Sequence, residues 1–129
     1  MSSVTSRKTA RRQALYLLYQ WDLTGQELAS LYEGEPDAFA RSHAEAVAAR
    51  ADLLDVRITA SSPDWPADRL GTLERNILRI GVYELEEVTV PRQVAINEAV
   101  VLAKRYATEE AARLVNGILA RVAREEEAA

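Results

Sequence analysis

The 129-residue chain has no cysteine, so disulfides, thiolate metal sites and a cysteine nucleophile are excluded, and a reducing, cytoplasmic setting is expected. A single histidine, His43, leaves no Ser/His/Asp set and no metal-ligand spacing. The five glycines, at 25, 34, 71, 81 and 117, make neither a dinucleotide fingerprint nor a phosphate loop. With four prolines, one phenylalanine and few Val or Ile in the first half, a β-sandwich or barrel is excluded as well. No apolar run is long enough to cross a membrane, and the Met1 end lacks the apolar segment of a signal peptide. No repeat of solenoid length is present. These absences point away from an enzyme, and no cofactor, metal or membrane partner is expected.

What remains is strongly helical. Ala (22), Leu (15), Glu (14) and Arg (14), all good helix formers, supply about half the chain. A first helix is expected after Thr5 or Ser6, ending at Thr24-Gly25. Residues 26–35 read as a short helix or turn closed by Gly34 and Pro36. One long helix is expected from about Asp37 to Ile58, with Phe39, His43, Val47, Leu54 and Ile58 at helical spacing. The small and turn-forming residues Thr59 to Asp64, with Pro63, form the clearest connector. Three helices follow, roughly 66–88 (with a break near Gly71-Thr72), 92–106 and 109–124, the last capped by Thr108, with a frayed acidic end at Glu125-Glu126-Glu127. Two helical clusters should meet at the 59–65 connector.

Within these helices the apolar spacing assigns a core. Leu70, Leu73, Ile77 and Ile80 form one stripe and Leu78, Val82 and Leu85 another, so this helix should be central. Glu84 falls in the first stripe and calls for a partner Arg or a capping role, because an unpaired buried carboxylate is costly. The 92–106 helix should bury Ala95, Ile96, Ala99, Leu102, Ala103 and Tyr106. It leaves Asn97, Glu98, Lys104 and Arg105 outside. In the last helix Ala111, Val115, Ile118, Leu119 and Val122 form the buried stripe. Gly117 should admit a neighbouring backbone or ligand. His43 is read as a packed or surface histidine rather than a ligand.

The net charge of −4 conceals an asymmetry. Residues 1–21 hold Arg7, Lys8, Arg11 and Arg12 and no acid, a charge of +4; the remainder, with 12 basic and 20 acidic residues, holds −8. On the first helix Ala10, Ala14, Leu17 and Trp21 point inward. Lys8, Arg12 and Tyr19 cluster opposite them, with Leu15 among them and Arg11 and Tyr16 flanking. Cations interleaved with tyrosines suit phosphates and unstacked bases, as in single-stranded RNA binding. The same patch would equally suit a protein partner, or be covered by the 26–58 segment.

Three strings decide among these alternatives by resemblance. They are Arg11-Arg12-Gln13-Ala14-Leu15-Tyr16-Leu17-Leu18-Tyr19-Gln20-Trp21-Asp22, then ERNILRIGVYEL (Glu74 to Leu85), then VAINEAVVLAKRYATEEAARLVNGIL (Val94 to Leu119). Together they resemble the transcription antitermination factor NusB family, at both ends of the chain and little between residues 25 and 60. The resemblance implies an all-α domain of about six to seven helices in two small three-helix bundles, about 5–60 and about 64–124. It implies binding of single-stranded boxA RNA with a small-subunit ribosomal protein acting as NusE, within the RNA polymerase antitermination complex that transcribes ribosomal RNA. By position, Arg7, Lys8, Arg11 and Arg12 match an Arg-rich RNA-contacting start, with Tyr16 offering a flat ring beside it. Glu110, Arg113 and Leu114 match a region near bound RNA. Leu15, Tyr19 and Glu74 are assigned to the ribosomal-protein partner. The family commonly has Phe before VNG where this chain has Leu114, so stacking there falls to Tyr16 or Tyr19. Two other readings are a module of a ribosomal-RNA cytosine methyltransferase and a helical interaction module without RNA. The first would continue into a Rossmann-type domain, whereas this chain ends at Ala129.

Overall fold

Ser6 opens the first helix: its hydroxyl accepts from the Thr9 N–H at 3.1 Å, which satisfies a donor that the helix start would otherwise leave free. The computed structural model describes residues 6–62 and 64–128, so Thr5, Pro63 and Ala129 lie outside the described residues. Helix α1 covers Arg7–Thr24 and stops at Gly25, whose φ of 73° lets its N–H reach the Trp21 carbonyl. A 3₁₀ turn at Leu28–Leu31 leads to α2 (Ala38–Ala49), capped by the Asp37 carboxylate on the N–H groups of Phe39 and Ala40. Helix α3 covers Ala51–Ala60. A second 3₁₀ turn, Ala67–Arg69, precedes α4 (Thr72–Glu87), α5 (Arg92–Tyr106) and α6 (Glu109–Ala128). The architecture is all-helical, with no strand among the described residues.

Four expectations need correction. The single helix over 37–58 is two helices, because Arg50 leaves helical geometry (φ −110°, ψ 11°). Its guanidinium is bonded to Glu87 and lies over the Tyr83 ring, a tertiary demand that an Ala-rich sequence does not display. The connector is shorter than read: Thr59 and Ala60 belong to α3, Ser61 and Ser62 are buried, and Thr59 Oγ1 accepts from the Ala67 N–H at 3.0 Å. The acidic end does not fray. It continues α6, with Glu126 paired to Arg57 across to α3. The buried stripe of α6 uses Ala112 rather than Ala111.

Helix α4 is central, in contact with every other α-helix. Ile77, Leu78, Val82 and Leu85 are fully buried, as their spacing predicts. The close approach on this helix is at Gly81, where a Cβ would come within 2.6 Å of the buried Leu119 side chain. Gly117, by contrast, faces open space, so the expectation that it admits a neighbour is corrected. Opposite outcomes follow for the two glycines. Gly117→Ala should raise stability by about 1 kcal/mol through helix propensity alone. Gly81→Val should cost about 1–3 kcal/mol by overpacking. Urea titration of the two variants checks both signs.

One polar network at the α1–α3–α4 junction has no counterpart in the sequence reading. Asp22 Oδ2 accepts from Arg75 (2.9 Å), Asn76 (3.0 Å) and Arg79 (3.0 Å), and Arg79 also forks onto Asp55 at 2.7 and 2.6 Å. Burial raises the Asp22 carboxyl, but Arg75, Asn76 and Arg79 outweigh it and hold it below its ordinary value.

Candidate nucleic-acid interface

The four cations of α1 do not share one fate. Arg7 and Lys8 are exposed at the helix start, Arg7 stacked over the Phe39 ring at 4.2 Å and Lys8 lying 3.6 Å from Glu98 of α5. Arg12 is half-buried and donates to Thr9 Oγ1 at 3.1 Å. Arg11 is only 3% exposed and forks onto the Glu84 carboxylate at 2.9 and 3.0 Å. Its charge is thus matched by Glu84, the carboxylate for which the sequence predicted an Arg partner, and it is buried rather than projecting from the surface. His43 Nε2 lies 3.2 Å from the same carboxylate, stacked on Phe39, so it is packed rather than at the surface.

Beyond these, α1 passes along α4 and the end of α5. Arg12, Leu15, Tyr16, Tyr19, Leu73 and Tyr106 line a hollow of about 340 Å³. Tyr16 is 60% exposed and Tyr19 half-buried. Leu15 is only 3% exposed, because the α4 side of α1 is packed, so the expectation that it projects is corrected. Tyr106, expected in the core, is 44% exposed: it ends α5 and extends past the packed stretch, with Arg105 over its ring at 5.6 Å. A smaller hollow of about 150 Å³ beside the first brings Lys8, Arg12 and Arg105 together around Glu98, with the buried Arg11 in its wall. On the far side of Tyr16 the surface turns acidic, a groove of about 400 Å³ bearing Glu33, Glu35 and Asp37. Phosphates are therefore favoured on the α5 side of α1 and disfavoured on the other. The segment 26–58 borders the basic face on one side, where Phe39 lies under Arg7 and Tyr32 and Asp37 share a groove with Arg12 and Tyr16, but it contributes no residue to the two hollows on the α5 side.

Glu74, Glu110 and Leu114, which the sequence divides between two partners, line a single hollow of about 270 Å³ with Trp65 and Arg69. Arg113 is exposed on the neighbouring turn of α6. Thr108 caps that helix as expected, accepting from the Ala111 N–H at 2.9 Å. Trp65, 53% exposed, is an aromatic beside Leu114 that the sequence reading placed merely outside a helix. Arg105, Tyr106 and Trp65 are the residues sequence reasoning missed. A basic–aromatic pair at the very end of a helix was the available signal for the first two.

Burial raises the Glu84 carboxyl, but the facing His43 and Arg11 outweigh it and hold it below the usual carboxylate range. Below about pH 4.5 the unfolded chain takes up a proton that folded Glu84 still refuses, so the stability this site adds is complete above that pH and is lost as pH falls through the folded pKa. Asp22 acts in the same direction. Stability measured between pH 6 and 2 should therefore fall steeply on the acid side, and Glu84→Gln should flatten that limb. An unchanged limb would contradict the assignment. Among the described residues no cluster of three or more His, Asp or Glu could hold a metal ion, and no helix is long and apolar enough to cross a membrane.

Comparison with known proteins adds a family to this geometry. The model of the NusB family matches residues 8–124. A transcription antitermination protein NusB from Myxococcus xanthus is 39% identical over 92% of this chain and 94% of its own. Another from Rubrobacter xylanophilus is 40% identical over 88% of this chain and 87% of its own. Among solved structures, T. maritima NusB superposes with a TM-score of 0.84 at 32% identity, covering 95% of this chain and 94% of that one. A crystal structure of the antitermination factors NusB and NusE in complex with double-stranded RNA gives 0.81 at 32% identity, covering 92% and 96%.

Proposed function

We propose the function from one premise: the chain belongs to the NusB family. It is an RNA-binding transcription antitermination factor that works with a NusE-type ribosomal protein. The observation that supports this most directly is the α1–α5 face, where Lys8, Arg12 and Arg105 gather beside the exposed rings of Tyr16 and Tyr106.

The action is non-catalytic. Arg7, Lys8, Arg12 and Arg105 neutralise phosphates, while Tyr16 and Tyr106 offer faces to unpaired bases. The ribosomal protein takes the Tyr19 and Leu73 side of the tyrosine hollow, with Leu15 at its floor and Glu74 next to Leu73 on α4. It leaves the Arg12, Tyr16 and Tyr106 side to RNA and so completes the RNA surface. The RNA is single-stranded boxA sequence, and the assembly belongs to RNA polymerase transcribing ribosomal RNA in the cytoplasm. The chain works as one unit, its halves of about 5–60 and about 64–124 meeting along α1 and α4.

A gel shift with boxA-like RNA, with and without the ribosomal protein, tests this. Tighter retention with both proteins present is expected. No retention in either arm would overturn the reading.

A further inference from the structure

Helix α3 packs on α4 and the 67–69 turn and buries Ala51, Leu54 and Ile58. Its other side is bare. Leu53 is 74% exposed and Val56 68%, the two most exposed large apolar side chains among the described residues. At ~100° per residue they fall within about 60° of one another together with Ala60, which is also exposed. The exposed Ala49, at the end of α2, precedes them by one turn. The steps of four, three and four residues from Ala49 to Ala60 are those of a helix seam that seats another helix. Single apolar side chains are ordinary on a surface, but a stripe in register is a contact face.

Both borders of this stripe carry surplus negative charge. By helical phase Asp52 lies along one side and Arg57 along the other. Asp52 takes part in no ion pair among the described residues, while its neighbour Asp55 is held by Arg79. Arg57 is shared between Glu86 and Glu126, so two carboxylates face one guanidinium. Arg50 is matched by Glu87 and adds no free cation.

We infer that the outer face of α3 is a docking surface for a short amphipathic helix of a protein partner, one whose aliphatic stripe is flanked by Lys or Arg. The stripe seats against Leu53 and Val56, with room for close approach over Ala49 and Ala60. Its cations meet Asp52 on one border and Glu86 and Glu126 on the other. Nucleic acid is repelled by the same carboxylates. A second copy of this chain would bring negative border onto negative border whichever way the two helices ran. The stripe covers only roughly a few hundred Å², below the about 1,000 Å² of a stable two-body interface. Docking is therefore weak alone and serves where a larger assembly already holds the partner nearby. Helix α3 lends no residue to the hollows of the α1–α5 face, so a partner here leaves that face open.

The test uses the full isotope-labelled chain and two helical peptides of about 18 residues. Both have Leu at the first and fourth heptad positions, flanked by Lys in one and by Glu in the other. At about 0.05 M salt the Lys peptide should bind at least about tenfold more tightly than the Glu peptide, and most of that advantage should vanish at about 1 M. Its binding should shift the backbone amide resonances of α3. Joint Leu53→Ser and Val56→Ser should weaken it about tenfold or more, while melting temperature and RNA binding stay unchanged. Shifts centred on the groove of Glu33, Glu35 and Asp37 would reveal attraction by charge alone and overturn the inference. Equal binding of the two peptides, or binding of neither, overturns it as well. Self-association of the native chain that Leu53→Ser abolishes would overturn it in favour of a second copy.

Discussion

Glu84→Ala is expected to cost about 3–5 kcal/mol of folding stability, the range for removing one partner of a buried ion pair. The Glu84 side chain is 1% exposed and that of Arg11 4%. After truncation the Arg11 guanidinium would keep only Glu98, 4.0 Å away and a poor substitute at that distance. The cost arises from the stranded charge more than from the missing attraction. It should therefore exceed that of Glu84→Gln, which retains an acceptor. Arg11→Ala should cost less than Glu84→Ala, since His43 still faces the carboxylate at 3.2 Å. Denaturant unfolding of the three variants gives the order directly. A loss below about 1 kcal/mol for Glu84→Ala would mean that water reaches the pair and that it does not hold α1 against α4.

This pair also marks how far the sequence could be read. Glu84 stood out as a carboxylate within an apolar stripe, so the need for a cation was legible from periodicity alone. Which cation was not, because Arg11 and Arg12 are neighbours whose burial depends on how α1 sits between α2 and α4. The same limit explains Leu15, whose position opposite Ala14 and Leu17 suggests exposure, although α4 packs against that side. A helix buried on two flanks has no single inward direction. The core of α4 and α6, where one wide stripe settles the packing, was legible nearly residue by residue. Tyr106 and Trp65 were not, because each stands at the end of an element, where helical phase no longer predicts direction. The break at Arg50 was invisible for a related reason: Glu87 and Tyr83, which hold it, are more than thirty positions away.

Joint replacement of Lys8, Arg12 and Arg105 by Ala should weaken RNA binding roughly 50-fold at 0.15 M salt, about fourfold for each phosphate of a single strand that is no longer neutralised. With Arg7 as the fourth cation, the log–log salt slope of the native chain should be about −3, falling to about −1 in the triple variant. The count is the one expected from the N-terminal arm, but its membership has changed. Arg11 is removed by Glu84, and Arg105 enters from α5, roughly a hundred positions away in sequence. Arg105→Ala alone should therefore lower the slope by about 0.7, while an arm acting by itself would leave it untouched. For Lys8→Ala and Arg105→Ala folding should change by no more than about 0.5 kcal/mol each, since both residues are exposed and the Lys8–Glu98 contact is a surface pair. A slope unaffected by Arg105→Ala would confine the phosphate-binding cations to α1. Three cations would then have to hold the RNA on a chain with a net charge of −4, and the ribosomal protein would have to supply most of the remaining attraction.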